Sequence, residues 1–164
     1  MNKKWGLCLA LLVACESDTL KLEPLEPADQ LVRVSMALQG TRPTVEALRD
    51  VEQNPEHLSK WVDEYLASED WLETVRDVYS EALLARSITM RLPAKGLLAD
   101  YTLQDVHESM SDESLRLISK VVGEDRPFTE IVTADYMVID AIGATMWGAE
   151  YDPLGSEWQT SQWL

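Results

Sequence analysis

Few residues of this chain have side chains that commonly perform chemistry. The 164 residues include two cysteines, Cys8 and Cys15, and two histidines, His57 and His107. A cysteine can form a disulfide, bind a metal as thiolate, act as a nucleophile or carry a lipid. Because both cysteines lie among the first fifteen residues, the rest of this sequence can hold neither a disulfide framework nor a thiolate metal site. The sequence also has no CxxCH segment for covalent haem attachment.

Cys15 follows a short apolar segment. Lys3 and Lys4 give the chain a positive start, and residues 5–14 carry no charge. An apolar stretch of this length is too short to cross a bilayer as a helix, which takes about 20 residues. A positive start before a short apolar run is typical of a secretory signal. We therefore predict that residues 1–14 are a signal peptide.

The segment from Leu12 to Cys15, Leu-Val-Ala-Cys, resembles the lipobox of bacterial lipoproteins. The resemblance implies that Cys15 is diacylglycerylated on sulfur, becomes the N-terminus after cleavage and is often N-acylated, for example with palmitate. It also implies a protein held in the membrane of the bacterial cell envelope, facing the periplasm or the cell surface. The alternatives are an ordinary secretory signal with an incidental cysteine, or a buried apolar helix. Since Glu16 rather than aspartate follows Cys15, we favour the outer membrane over the inner one.

Composition limits the class of protein. Hydrophobic residues make up 46% of the chain, which is enough for a folded core. The formal net charge is −15, from 29 acidic and 14 basic residues. Such a charge disfavours nucleic acid, because phosphate binding needs clustered Lys and Arg. It also opposes approach to anionic lipid, unless an anchor holds the chain there.

The pattern of apolar residues and helix caps predicts an all-α fold. Residues 15–28, with two prolines, are predicted to form a lipid-anchored tether, and residues 29–148 a helical domain. We expect an irregular bundle of six to seven short helices, with an antiparallel hairpin at about 55–86. A last helix is predicted from Thr133 to Gly148, and no strand of useful length. The hairpin core is predicted to contain Trp61, Tyr65, Trp71, Val75, Val78 and Leu83.

Two groups of polar residues are candidate sites. His57 lies in the first turn of a predicted helix, where a histidine is more often solvated than a ligand. Near His107, three carboxylates share roughly one helical side, an arrangement that can hold a cation through oxygen ligands. In a chain that is acidic throughout, a solvated acidic face is the favoured interpretation. The three carboxylates are Asp105, Glu108 and Asp112.

No catalytic motif is present. The sequence contains no GxSxG elbow and no glycine-rich phosphate loop. We therefore predict no catalytic, metal-binding or cofactor-binding residue and no cofactor, and we lean against an enzyme for this chain. The predicted site residue is the lipidation site, Cys15.

The end of the sequence, residues 149–164, contains large apolar side chains after a Pro and Gly break. Such side chains need something to pack on. Two interpretations stay open: the tail folds back onto the helices, or it meets a protein partner or a continuation of the natural protein. The residues concerned are Trp158, Trp163 and Leu164.

Residues 28–160 resemble the N-terminal helical region of large secreted proteins from planctomycetes and myxobacteria. The resemblance rests on the Gly-x-Arg-Pro-Thr motif at Gly40–Thr44 and on Thr-Ala-Asp-Tyr at Thr133–Tyr136. Those proteins combine domains of unknown function with c-type cytochrome modules. Two functions follow as hypotheses. One is a lipid-anchored envelope protein with a structural or binding role, and the alternative is the accessory region of a larger secreted redox or hydrolytic enzyme.

Overall fold

A computed structural model describes residues 23–87 and 95–162, and it confirms the all-α class. Within these ranges seven α-helices form an irregular bundle, and three 3₁₀ turns and one two-stranded ribbon join them. The helices are α1 Pro27–Gln39, α2 Val45–Gln53, α3 Leu58–Leu66, α4 Glu69–Leu83, α5 Leu103–Gly123, α6 Glu130–Thr133 and α7 Ala141–Trp147. The strands are β1 Tyr136–Ile139 and β2 Gln159–Gln162. Cys15 and the predicted signal peptide and lipobox lie outside the described residues.

Side-chain caps start several helices where the sequence predicts them. Thr44 accepts a hydrogen bond from the Ala47 amide, and Thr102 exchanges hydrogen bonds with Asp105 in a capping box. Ser111, whose type and position in the sequence predict a further helix start, does not begin a new helix, because α5 runs unbroken for 21 residues. The Ser111 hydroxyl donates to the Glu108 carbonyl within the helix, so it does not interrupt the backbone ladder.

The described helices pack in two groups. In the first, α1, α2 and α3 surround a core of Leu31, Ala47, Val51 and Tyr65. In the second, α5 is central and packs against α4, β1 and α7. The most buried side chains of α5 are Val106, Leu115, Ile118 and Val121. Helix α5 therefore holds the C-terminal half of the domain together.

The predicted hairpin core is only partly right. Tyr65 and Val75 are buried, but Val78 is 58% exposed and Leu83 is 54% exposed. The reason is that α3 packs chiefly against α1 and α4 chiefly against α5, rather than against each other. The buried side of α4 therefore carries Val75 together with Arg76, and Val78 faces solvent. Trp61 and Trp71 are half-buried.

The single helix predicted from Thr133 to Gly148 is wrong, because the structure divides that segment. Tyr-Met-Val-Ile forms β1, and Asp140 then caps α7 by accepting from the Gly143 amide at 2.8 Å. Aromatic and β-branched residues fit a strand, but the partner strand lies about twenty residues further along the chain. Strand β2 pairs antiparallel to β1, with Met137 opposite Ser161. Through this pairing, the described part of the tail, residues 149–162, folds back onto the domain.

Candidate functional site

Glu113 lies half-buried on α5, facing α7. The indole N–H of Trp147 donates to both carboxylate oxygens of Glu113, with 3.0 Å from Nε1 to each oxygen. Burial raises the pKa of Glu113 to about 7; the hydrogen bond from Trp147 opposes this rise, and the charge of Asp140 adds to it. This carboxyl therefore titrates near neutral pH.

Gly143 allows α7 to approach the Glu113 carboxylate closely. A Cβ at this position would overlap Oε1 of Glu113 and also approach Ile139. Next to this contact, Asp140 accepts hydrogen bonds from the Gly143 amide and, at 2.7 Å, from the Ser109 hydroxyl. We call this group the Glu113 cluster; its members are Ser109, Glu113, Asp140, Gly143 and Trp147.

Burial brings the pKa of Glu113 into the range of groups that perform acid–base chemistry. A carboxyl that titrates near pH 7 can act as an acid or a base. However, the Glu113 oxygens accept from Trp147 and lie against Gly143, and Glu113 does not line the cleft described next. We therefore assign Glu113 no role toward a substrate.

Sequence reasoning missed Glu113, although one signal was available. Val106, Ser109 and Glu113 recur at the spacing of a buried helical stripe, and the first two are buried. A glutamate on such a stripe needs a polar partner. That partner is Trp147 on α7, a helix whose bounds the sequence pattern did not predict.

A polar cleft of about 1050 Å³ lies beside the ribbon. Arg126 covers the Tyr136 ring, with 5.6 Å from the guanidinium carbon to the ring centre, and the Tyr136 hydroxyl donates to Glu130 at 2.8 Å. The walls combine charged, hydroxyl and amide groups, which suits a polar ligand. The lining residues are Lys120, Arg126, Asp135, Tyr136, Glu150, Tyr151, Asp152, Gln159, Thr160, Ser161 and Gln162.

Trp158 packs on the domain next to β2. Its ring lies 4.9 Å from the guanidinium carbon of Arg116, a cation–π contact, and its side chain is half-buried. Trp163 and Leu164 lie outside the described residues. The partner surface predicted at these three residues stays a prediction.

His57 contributes to the packing of the first helical group. Its Nδ1 lies 2.9 Å from Oδ1 of Asp50, and the indole N–H of Trp61 donates to the other carboxylate oxygen at 2.9 Å. The hydrogen bonds from His57 and then Trp61 lower the pKa of Asp50. Asp50 thus ties α2 to the start of α3, which is a structural role.

The three carboxylates near His107 have separate partners. Asp105 accepts from the Thr102 amide, Glu108 from Gln104, and Asp112 from Arg86 at 2.9 Å. Throughout residues 23–87 and 95–162, no three His, Cys, Asp or Glu side chains gather as a potential metal site. Each carboxylate of this acidic face is thus engaged separately, and in the described part of the chain only Asp112 of the three has a cationic partner, Arg86.

Fold and site together define a small acidic α-helical domain with a short β-ribbon and a polar cleft. None of the helices in the described ranges is long and apolar enough to cross a membrane. The chain belongs to the family described as protein of unknown function (DUF1592), PSD4, whose model matches residues 24–149. That range contains all seven helices and confirms the expected domain of unknown function. No curated protein and no solved structure matches the chain.

Proposed function

We propose that this protein is anchored by lipid on Cys15 in the bacterial cell envelope, where its helical domain has a structural or binding role. The observation that carries the proposal is the Leu-Val-Ala-Cys segment, which follows two lysines and an uncharged run. The acyl chains supply the membrane affinity, about 0.8 kcal/mol for each buried CH₂ group. Removal of residues 1–14 takes away Lys3 and Lys4 and no acidic residue, so the net charge changes from −15 to −17, and anionic lipid repels the processed protein.

The distance from anchor to fold is consistent with a tether. Helix α1 begins at Pro27, so residues 15–26 separate the proposed lipid from the first helix. A fully extended segment of this length spans at most about 40 Å. The domain can therefore stand clear of the lipid surface. We place it at the outer membrane. If the protein fractionated with inner-membrane markers on a density gradient, that placement would be wrong.

The lipid anchor is tested by metabolic labelling with a palmitate analogue in a bacterial host. We expect Cys15→Ala to abolish labelling, because the acceptor sulfur is lost. Cys8→Ala is the matched control, since that cysteine lies within the predicted signal and is removed with it; this variant should label like wild type. Equal labelling of wild type and Cys15→Ala would exclude the anchor.

A binding role would use the polar cleft beside the ribbon. Thr160 is exposed on β2 at the cleft, whereas Glu46 is exposed on α2 in the other helical group. A photo-crosslinking residue at position 160 should give one discrete adduct in intact cells, and the same residue at position 46 should give none. Adducts at both positions, or at neither, would contradict binding at this cleft.

The second candidate function is the accessory region of a larger secreted redox or hydrolytic enzyme. It is favoured by the resemblance of residues 28–160 to proteins that also carry cytochrome modules. The gene sequence beyond the codon of Leu164 separates the two. An open frame that continues into CxxCH segments supports this second candidate, and a stop codon opposes it.

A further inference from the structure

We propose that the polar cleft beside the ribbon binds an extended basic peptide segment. The segment pairs with the open edge of β2 and places its lysine or arginine side chains against the carboxylates of the cleft. This ligand class rests on the binding role proposed for the cleft. Three features of the cleft support it: the open strand edge, the negative charge left uncompensated along it, and a buried hydroxyl group.

Strand β2 has a neighbouring strand on one side only. It pairs with β1 in a two-stranded sheet, and within the described residues no backbone hydrogen bond reaches its outer edge. All four residues of β2, Gln159–Gln162, line the cleft, so a chain segment in the cleft runs beside this edge. An open strand edge is a template for an added strand, whose main-chain hydrogen bonds supply affinity.

The two basic side chains of the cleft are neutralised by the protein itself. Lys120 forms an ion pair with Glu124. Arg126 forms ion pairs of 2.7 Å with Glu124 and with Glu130. Neither glutamate lines the cleft. The cleft therefore offers an anionic ligand no unpaired cation, whereas its own carboxylates are available to a cationic one.

Three carboxylates line the cleft, and within the described residues none of them has a cationic partner: Asp135, Glu150 and Asp152. Asp135 directly precedes β1 and so lies at the Gln162 end of β2. The backbone of Asp152 exchanges two hydrogen bonds with the side chain of Gln159, at the other end of β2. Three strand residues span about 10 Å, so negative charge lies near both ends of the open edge. A segment with basic side chains a few residues apart matches this arrangement.

Ser161 adds a buried polar group to the wall of the cleft. This residue is only 8% exposed, and its hydroxyl forms no hydrogen bond with another described residue. A buried hydroxyl normally has a hydrogen-bond partner. An ammonium or guanidinium group in the cleft supplies the N–H donor that the Ser161 oxygen can accept. A second copy of this chain fits the edge less well, because each copy has a net charge of −15 and the copies repel each other.

Fluorescence anisotropy with the purified full chain tests the proposal. The probe is a labelled, end-blocked peptide of alternating lysine and threonine, Lys-Thr-Lys-Thr-Lys. The cleft variant combines Asp135→Asn with Glu150→Gln. The matched variant combines Glu46→Gln with Glu64→Gln, which removes the same charge from exposed positions in the first helical group. We expect the cleft variant to bind the peptide about fivefold more weakly than wild type, because two ion pairs are lost, and the matched variant to stay within about twofold of wild type.

Two further comparisons test the strand edge and the buried hydroxyl. A peptide N-methylated at every residue keeps its charges but cannot donate main-chain hydrogen bonds to β2, so it should not bind detectably. Ser161→Ala should weaken binding of the unmodified peptide about threefold, because one acceptor is lost. Equal binding of the two peptides would overturn the proposal. So would equal losses in the cleft variant and the matched variant, since these would show attraction to the net charge alone.

The ligand class and the binding role can fail separately. The binding role is tested by the crosslinked adduct at position 160 in cells. A discrete adduct there, without cleft-dependent binding of the basic peptide, would overturn the ligand class and leave the binding role standing. Sedimentation of the same full chain tests the other occupant of the edge. A homodimer that the basic peptide does not dissociate would place a second copy on β2 and would also overturn the proposal.

Discussion

Leu115→Ala should lower the free energy of unfolding by about 2–5 kcal/mol, the range for leucine truncation in a closed core. Leu115 is 0% exposed, near the middle of α5, the helix that contacts α4, β1 and α7. Removing its side-chain atoms leaves a cavity at the junction of these elements, which the rigid neighbours fill only in part. The loss is a large share of the roughly 5–15 kcal/mol available to a domain of this size. Chemical denaturation measures it directly.

Leu97→Ala is the matched control for this prediction. Leu97 is 82% exposed in the 3₁₀ turn Gly96–Leu98, so its truncation should change the free energy of unfolding by less than about 0.5 kcal/mol. Equal losses in the two variants would contradict the packing described for α5. They would mean that Leu115 is not enclosed, or that Leu97 is covered in solution.

Arg76→Ala is expected to cost about 2–3 kcal/mol. Arg76 is only 3% exposed on α4, with ion pairs to Glu69 at 3.0 Å and to Glu73, and it donates to Ser119 of α5 at 3.3 Å. The substitution removes the contact to α5 and opens a cavity. The side chains of Glu69 and Glu73 are exposed to water. Their charges are therefore hydrated when Arg76 is removed, and they add little to the loss of stability.

Arg76→Met separates the volume of this side chain from its charge. Methionine fills most of the space along α5 without needing ion pairs, and buried ion pairs are often replaced by apolar side chains at little cost. We expect a loss within about 1 kcal/mol, measured by the same denaturation. If Arg76→Met loses as much as Arg76→Ala, the charge network stabilises the α4–α5 contact more than the packing does, contrary to our account.

The sequence predicts the helices well where local signals specify them. Thr44, Ser68 and Thr102 each accept a hydrogen bond from an amide in the first helical turn, so the helix starts can be identified from a few neighbouring residues. The ribbon was missed because its pairing joins β1 to a strand about twenty residues away. Local apolar spacing at Met137 and Val138 fits a helix equally well.

The faces of the helices were harder to predict than their ends. Val78 was assigned to the core because it extends the apolar stripe of α4, but Arg76 takes the buried position instead. A buried arginine needs charged or polar partners. For Arg76 one of them is Ser119, which lies 43 residues further along the chain, on α5. Glu113 was missed for the same reason. Its hydrogen-bond partner Trp147 lies 34 residues further along the chain and reaches it only in the folded protein.

The most direct test of the central claim is the mass of the N-terminal peptide of the membrane-bound protein. Trypsin cleaves after Lys4 and Lys21, so an unprocessed chain yields the peptide Trp5–Lys21. We expect instead the peptide Cys15–Lys21, with Cys15 as its first residue and a diacylglyceryl group on its sulfur. An N-terminal peptide that begins before Cys15, or one that begins at Cys15 with a free thiol, would contradict the lipid anchor.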